Sequence, residues 1–340
     1  MNRKHLSIYC IAHFWVDLAC ALVLFRTLSD RAYFAEAILI YNFCAFAMQM
    51  PLGLLADSLN RNGLVAASGC FLIALAYPIS AFSSQTIPTA IIAGLGNALF
   101  HLGGGIDTLN HSEKKASALG IFVSPGALGL YLGTRWGNGF SPALWIGPLG
   151  LIIVGLLILV ICRYPGSGLR SQNAPLSLEP AFSYRWLIPL FLVVVLRSYM
   201  GMNQSFTWKG EWYWGVILVF ALVLGKMAGG LLMDRFGALK TSCWTLGLSA
   251  VFYPLSSLPI IGTLAVFFFN MTMPVTLWAV AKIIPGAKGF TFGLLTLGLF
   301  VGYLPSVYGL PSPLDQGWAC AVISVISLIL MILPFKEMTA

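Results

Sequence analysis

The chain has 340 residues, of which 59% are hydrophobic and only 9% charged, with a formal net charge of +8. A soluble domain carries roughly 25% charged residues, so this composition excludes a water-soluble globule and points to a polytopic protein whose first partner is the lipid bilayer. The bases stand singly in short loops and form no cluster on one face, which argues against nucleic acid as a partner.

The apolar runs are about 20 residues long and continuous, the length of a membrane-crossing helix and not the shorter alternating pattern of a barrel strand. Hydropathy and turn residues predict twelve spans: 6–28, 33–55, 64–82, 86–109, 117–134 and 143–162, then 185–206, 212–233, 240–258, 260–281, 288–310 and 316–334. The first run follows Met1-Asn2-Arg3-Lys4 like a signal peptide. It contains His13 and Asp17 and lacks a small-residue cleavage site, so it reads as a retained span. Between spans 6 and 7 the break from Arg163 to Tyr184 holds Pro165, Gly166, Gly168, Pro175 and Pro180, a linker composition. The expected fold class is an all-α integral membrane protein of twelve transmembrane helices in two pseudo-symmetric six-helix bundles. Residues 1–162 form the N-terminal bundle, 163–184 a cytoplasmic linker and 185–340 the C-terminal bundle.

With the N-terminus inside, thirteen bases fall in inner segments: Arg3, Lys4, Arg61, Lys114, Lys115, Arg163, Arg170, Arg185, Arg235, Lys240, Lys282, Lys288 and Lys336. Three fall outside: Arg31, Arg135 and Lys209. Retention of Lys and Arg on the cytoplasmic side then places both termini in the cytoplasm of an inner, cytoplasmic membrane. The seven cysteines have no zinc spacing. No metal site, cofactor or enzymatic constellation is expected, and a monomer is.

Gly53-Leu54-Leu55-Ala56-Asp57 recurs as Gly230-Leu231-Leu232-Met233-Asp234, a shift of 177 residues. A shift of 173 lays Asn97 on Asn270, Lys115 on Lys288 and Gly120 on Gly293. Two repeats of six spans, related by an axis along the membrane normal, are an arrangement used by secondary transporters.

On these residues the chain resembles the major facilitator superfamily. That family's loop motif between spans 2 and 3, G-x-L-x-D-R-x-G-R-[KR], is loosely kept as Gly53, Leu55, Asp57, Arg61 and Gly63, and again as Gly230, Leu232, Asp234, Arg235 and Gly237. Span 5 carries Gly120, Ser124, Pro125, Gly126 and Gly129, similar to the family's antiporter motif G-x-x-x-G-P-x-x-G-G. The run Gly94–His101 is similar to span 4 of fosmidomycin-resistance-type exporters. Ala90 stands where proton-coupled members carry a span-4 arginine, a departure from the family's relay. The resemblance implies alternating access, a cavity lined by spans 1, 4, 7 and 10, and an inner gate at the duplicated motif.

Polar groups inside hydrocarbon are costly, so those retained are functional candidates. Asp17 is the proton-carrying candidate because desolvation raises a carboxylate's affinity for protons. His13 and His101 are alternatives, since imidazole titrates near neutral pH. His13 and Asp17 share one helical face, as do Asn97 and His101. Asn97, Arg197, Asn203, Gln204, Asn270 and Thr272 are the substrate-cavity candidates. Arg197, Gly201 and Gln204 form one stripe on span 7, and Arg197 either binds an anionic group or partners Asp17. The expected function is secondary active transport of a small molecule coupled to protons or another ion, with export of small lipophilic compounds as the first reading. The alternatives are ion-coupled uptake of a small anionic or zwitterionic metabolite, and a transporter-like receptor without transport.

Overall fold

A computed structural model describes residues 3–82, 85–111, 115–139, 143–163 and 173–339. Lys114, Arg170, the Pro165–Gly168 stretch of the expected linker, and the side chains of Arg3, Lys4 and Arg163 lie outside the described residues.

Among the described residues the regular elements are all helical. Helix α1 (Arg3–Val23) continues through a π-helical turn at Leu24–Leu28. Next come α2 (Phe34–Asn42), a π turn at Phe43–Ala47, α3 (Gln49–Leu59), α4 (Asn62–Ala81) and α5 (Thr86–Asn110). They are followed by α6 (Ser117–Val123), α7 (Pro125–Gly137), α8 (Ile146–Arg163), α9 (Leu187–Asn203) and α10 (Trp212–Phe236). The last are α11 (Ala238–Phe252), α12 (Pro259–Asn270), α13 (Thr272–Ile283), α14 (Lys288–Val307) and α15 (Gly317–Thr339).

Among the described residues, ten helical stretches are long and apolar enough to cross a bilayer; α2 with α3, α6 with α7 and α12 with α13 each count as one. The other two expected spans are shorter. α8 offers Ile146–Cys162, and α11 has 15 residues, about 22 Å against a hydrocarbon core of about 30 Å. A 3-10 turn at Tyr253–Leu255 extends α11 before Pro259 opens the next helix.

Two breaks have local causes. At Ser124–Pro125 the proline has no N–H to give to the preceding turn. The Ser124 hydroxyl lies 2.5 Å from the Gly120 carbonyl and 3.0 Å from that of Val223, and Lys226 Nζ donates to the Val123 carbonyl at 3.3 Å. Side-chain donors of this kind make a broken helix tolerable in hydrocarbon. Lys226 is thus held at the break. At Met271 the chain steps between α12 and α13, and Pro274 sits in the first turn of α13, where a missing N–H costs little.

The chain divides into two compact units, and neither is contiguous in sequence. Unit 1 comprises Met1–His111, Pro125–Ser177 and Gly286–Leu297; unit 2 comprises Ser112–Ser124, Leu178–Pro285 and Gly298–Ala340. The first parts of spans 5 and 11 therefore group with the unit opposite to their half of the sequence.

In unit 1, α1 is the central element and packs along α7, α8 and α5, while α4 packs on α5 and α8. The α1–α7 contact is close because α7 presents a stripe of glycines. A Cβ at Gly129 would lie 2.2 Å from the Phe14 carbonyl oxygen, and one at Gly133 would lie 2.3 Å from that of Leu18. Small residues at such a seam let two backbones approach where lipid tails give no hydrophobic advantage to association. In unit 2, α10 packs against α6, α12 and α13, and α11 against α15 and α12. Gly225 and Gly229 of α10 play the same part there: Cβ atoms would meet the Phe267 oxygen at 2.5 Å and the Met271 oxygen at 1.9 Å.

Candidate functional site

In unit 1, α1 and α5 bring four of the expected residues together. Asp17 lies with Oδ2 3.3 Å from His13 Nε2 and Oδ1 3.8 Å from His101 Nε2. The two imidazole Nε2 atoms face one another at 2.9 Å. Asn97 donates from Nδ2 to Asp17 Oδ1 at 3.2 Å. His101 Nδ1 lies 2.9 Å from the Asn97 carbonyl oxygen, which only accepts, so this nitrogen carries the hydrogen and His101 Nε2 presents a lone pair in the neutral ring. The side chains are 6% exposed for His13, 13% for His101 and 19% for Asp17, so the cluster is largely dry but reachable.

α7 supplies the floor of the cluster. A Cβ at Gly126 would lie 2.3 Å from both Asp17 Oδ2 and His13 Nε2. Glycine at 126 is therefore what lets α1 present these two side chains against α7.

His13, Asp17 and His101 offer ligand atoms that all lie within 4.8 Å of one another, a set able to hold a metal ion. No metal site was expected from the sequence. The spacing of His13 and Asp17 shows one helical face, but His101 joins it only through the packing of α1 on α5.

Unit 2 holds a different arrangement. Arg197 of α9 is buried and donates from Nη2 to Thr272 Oγ1 at 2.9 Å and from Nη1 to Thr276 Oγ1 at 3.3 Å. Its Nε is buried without a hydrogen-bond partner among the described residues. Hydroxyls, not a carboxylate, hold this cation among the described residues. Thr276 was missed because a threonine four residues beyond Thr272 carries no signal without Arg197 beside it.

The other cavity candidates are less engaged. Asn270 and Asn203 donate to carbonyls of their own helices, Val266 and Tyr199, at 2.8 Å each. Gln204 corrects the expected stripe on span 7. α9 ends at Asn203, Gln204 is extended, and its Oε1 accepts from Tyr253 Oη at 3.1 Å. Arg197 and Gln204 therefore do not share a continuous helical face.

The duplicated motif makes matching contacts inside each unit. Asp57 accepts the N–H of Gly289 at 2.8 Å and of Phe290 at 3.0 Å, on the first turn of α14. Asp234 accepts the N–H of Ala116 at 2.5 Å and that of Ser117 at 3.3 Å, at the start of α6. A carboxylate there satisfies free N–H groups and faces the positive end of the helix dipole. Gly53 and Gly230 allow the approach: Cβ atoms would meet the Gly289 oxygen at 2.2 Å and the Ala116 oxygen at 2.6 Å. The repeat extends to Gly293 and Gly120, whose Cβ atoms would meet the carbonyls of Gln49 and Lys226 at 2.3 and 2.5 Å. Gln49 and Lys226 are themselves 177 residues apart.

One expectation at this motif is corrected, the place of Gly63 in the turn. Arg61 and Arg235 form no ion pair with the aspartates among the described residues; both are exposed, and Arg235 lies over the Phe236 ring at 5.2 Å. The turn of the first copy rests on Asn60, left-handed at φ 50°, in register with Gly237, whose φ is also positive at 82° but whose ψ of 165° is extended. Gly63 instead lies in the first turn of α4. Asparagine is the residue that best replaces glycine in that conformation. Beside Asp57, the linker residue Asn173 donates to the Asp57 carbonyl at 3.2 Å and accepts from Asn62 and Asn110. Asn62 also donates to Asp107, as does Tyr9, so Asp107 is held by neutral donors.

No protein-family model and no curated protein matches the sequence. Solved structures do match along the full chain. A major facilitator superfamily transporter, FucP, in an outward conformation superposes with a TM-score of 0.69 at 14% identity over 97% of this chain and 98% of that one. The E. coli fucose:proton symporter FucP gives 0.64 at 13% over 97% and 98%. An outward-facing bacterial homologue of the iron transporter ferroportin gives 0.66 at 16% over 99% and 98%. With twelve helical segments, two of them short, and a duplicated clamp in matching register, the chain has the fold of the major facilitator superfamily transporters.

Proposed function

We propose that this chain is a proton-coupled secondary transporter of the major facilitator superfamily that works by alternating access, with Asp17, His13 and His101 as its coupling centre. The observation that carries this reading is the convergence of one carboxylate and two facing imidazoles in a nearly dry site. Three side chains of the kinds that pass protons are thereby placed on one point inside a membrane helix bundle. Among the fold neighbours, one is a fucose:proton symporter. The duplicated clamps of Asp57 and Asp234 act as gate contacts, since each ties the end of one helix to another and must break for that helix to move. The distribution of Lys and Arg supports both termini on the cytoplasmic side of the cell membrane. The broken, glycine-lined span 5 supports export of small, rather lipophilic compounds.

Arg197 favours a second reading. A buried guanidinium held by hydroxyls alone is an anchor for a carboxylate or phosphate, which fits uptake of a small anionic or zwitterionic metabolite.

A thermal-shift screen of lipophilic and anionic compounds identifies ligands of the folded state. The ligands found are then tested in proteoliposomes under an imposed pH gradient. Gradient-driven flux that Asp17→Asn abolishes is the expected result. Ligand binding with neither counterflow nor proton movement would establish a receptor in place of a transporter.

A further inference from the structure

We propose that the His13–Asp17–His101 cluster is a binding site for one divalent transition-metal cation, with Zn2+, Co2+ and Fe2+ as the class. This deepens the coupling reading of the same site and rests on it only for the site's role in transport. Its first support is the donor set. Two imidazole nitrogens and one carboxylate oxygen suit borderline transition metals, whereas Mg2+ and Ca2+ favour all-oxygen shells.

Its second support is spacing. With metal–nitrogen bonds of about 2.1 Å, neighbouring ligand atoms lie about 3.0 Å apart at a right angle and about 3.4 Å apart at the tetrahedral angle. The observed separations are 2.9 Å between the two Nε2 atoms, 3.3 Å from His13 to Asp17 and 3.8 Å from His101 to Asp17. A cation enters with shifts of a few tenths of an ångström.

A third support is orientation. The Nδ1–H of His101 is fixed on the Asn97 carbonyl, the kind of partner that aims a metal-binding imidazole and sets its tautomer. That leaves the His101 Nε2 lone pair pointing at His13 Nε2, where a cation between the rings would take it as a ligand.

A fourth, independent observation concerns Asn97. Its Oδ1 is buried without a hydrogen-bond partner among the described residues, while Nδ2 of the same amide donates to Asp17. A buried acceptor left without a donor costs free energy, and a half-turn of this amide would exchange its nitrogen for its oxygen beside Asp17 and supply that oxygen to a cation. Gly126 keeps the approach open, because any Cβ there would sit 2.3 Å from two of the ligand atoms.

The test is equilibrium dialysis of the purified full-length protein in detergent against Zn2+ and, separately, Co2+, with the visible absorption of Co2+ reporting its ligands. One equivalent per chain is expected, with a nitrogen- and oxygen-ligated Co2+ spectrum. His101→Gln and His13→Gln should each weaken binding by more than about 100-fold, while Gly201→Ala leaves it unchanged and excess Mg2+ does not compete. Thermal unfolding of each variant confirms that it is folded, and Asn97→Ala, which keeps all three ligands, should weaken binding by about 10-fold. Absence of stoichiometric binding, or binding indifferent to both histidine substitutions, overturns the proposal. Proton flux in chelator-treated proteoliposomes separates the two readings. Metal binding without proton movement leaves this site standing and removes the coupling reading; proton movement without metal binding does the reverse.

Discussion

In unit 1 a carboxylate sits between two imidazoles and an amide, whereas in unit 2 a guanidinium sits between two threonine hydroxyls. Both are charges inside helix bundles, and both rest on a helix packed against glycine-rich or interrupted neighbours. They differ in what their partners can exchange. Imidazole and carboxylate are the side chains that pass protons in acid–base chemistry. A guanidinium and threonine hydroxyls instead hold their partners through hydrogen bonds. On the proposed reading, unit 1 carries the variable charge and unit 2 a fixed one, which divides the labour between coupling and anchoring.

The largest expected effect breaks the variable charge. Asp17→Asn removes the acidic member and should lower proton-coupled flux by more than about 100-fold, the scale of a positioned proton carrier, as read with a pH-sensitive dye in the vesicle lumen. Gly126→Ala comes next. Its methyl group would intrude on both Asp17 and His13, so flux should fall by about tenfold or more and stability by about 1–3 kcal/mol. Gly201→Ala is the control. Nothing lies within 4 Å of a Cβ there, and a normal rate with unchanged or slightly raised Tm is expected.

The fixed charge responds differently. Arg197→Met should leave Tm unchanged or higher, because the buried cation has no carboxylate partner among the described residues and its desolvation is relieved. Thr272 and Thr276 then fall back on the backbone carbonyls they already contact, those of Phe269 and Met273. Affinity for an anionic substrate should drop more than tenfold in the same variant, and a retained affinity would remove Arg197 from the binding role.

The smallest effects lie at the duplicated clamps, and they are unequal. Asp57 is buried and holds two N–H groups at 2.8 and 3.0 Å, whereas Asp234 is exposed and makes one short contact and two long ones. Asp57→Asn should slow counterflow several-fold with ligand affinity intact, and Asp234→Asn should slow it less. Equal effects, or a lost binding site in either, would break the reading of these residues as gate contacts.

Hydropathy alone made the spans legible, because a bilayer demands long apolar runs with internally satisfied backbones. The site was legible only in pieces. Helical spacing put His13 with Asp17 and Asn97 with His101, but no spacing rule joins residues 13 and 101, which meet because α7 glycines and small residues let α1 sink into its neighbours. Gln204 was misplaced since a hydropathic run does not show where α9 unwinds. Asn60 was overlooked because the motif match favoured a glycine three residues later. The chemistry of Gly126 could be named from its motif, yet its reason is the 2.3 Å clearance that packing alone reveals.

The central claim is that Asp17 carries the coupling charge and Arg197 does not. Its most direct measurement is substrate-driven proton movement in proteoliposomes, compared across the unmodified chain, Asp17→Asn and Arg197→Lys at saturating ligand. The account predicts proton movement in the unmodified chain and in Arg197→Lys, and none in Asp17→Asn. Undiminished proton movement in Asp17→Asn would contradict it.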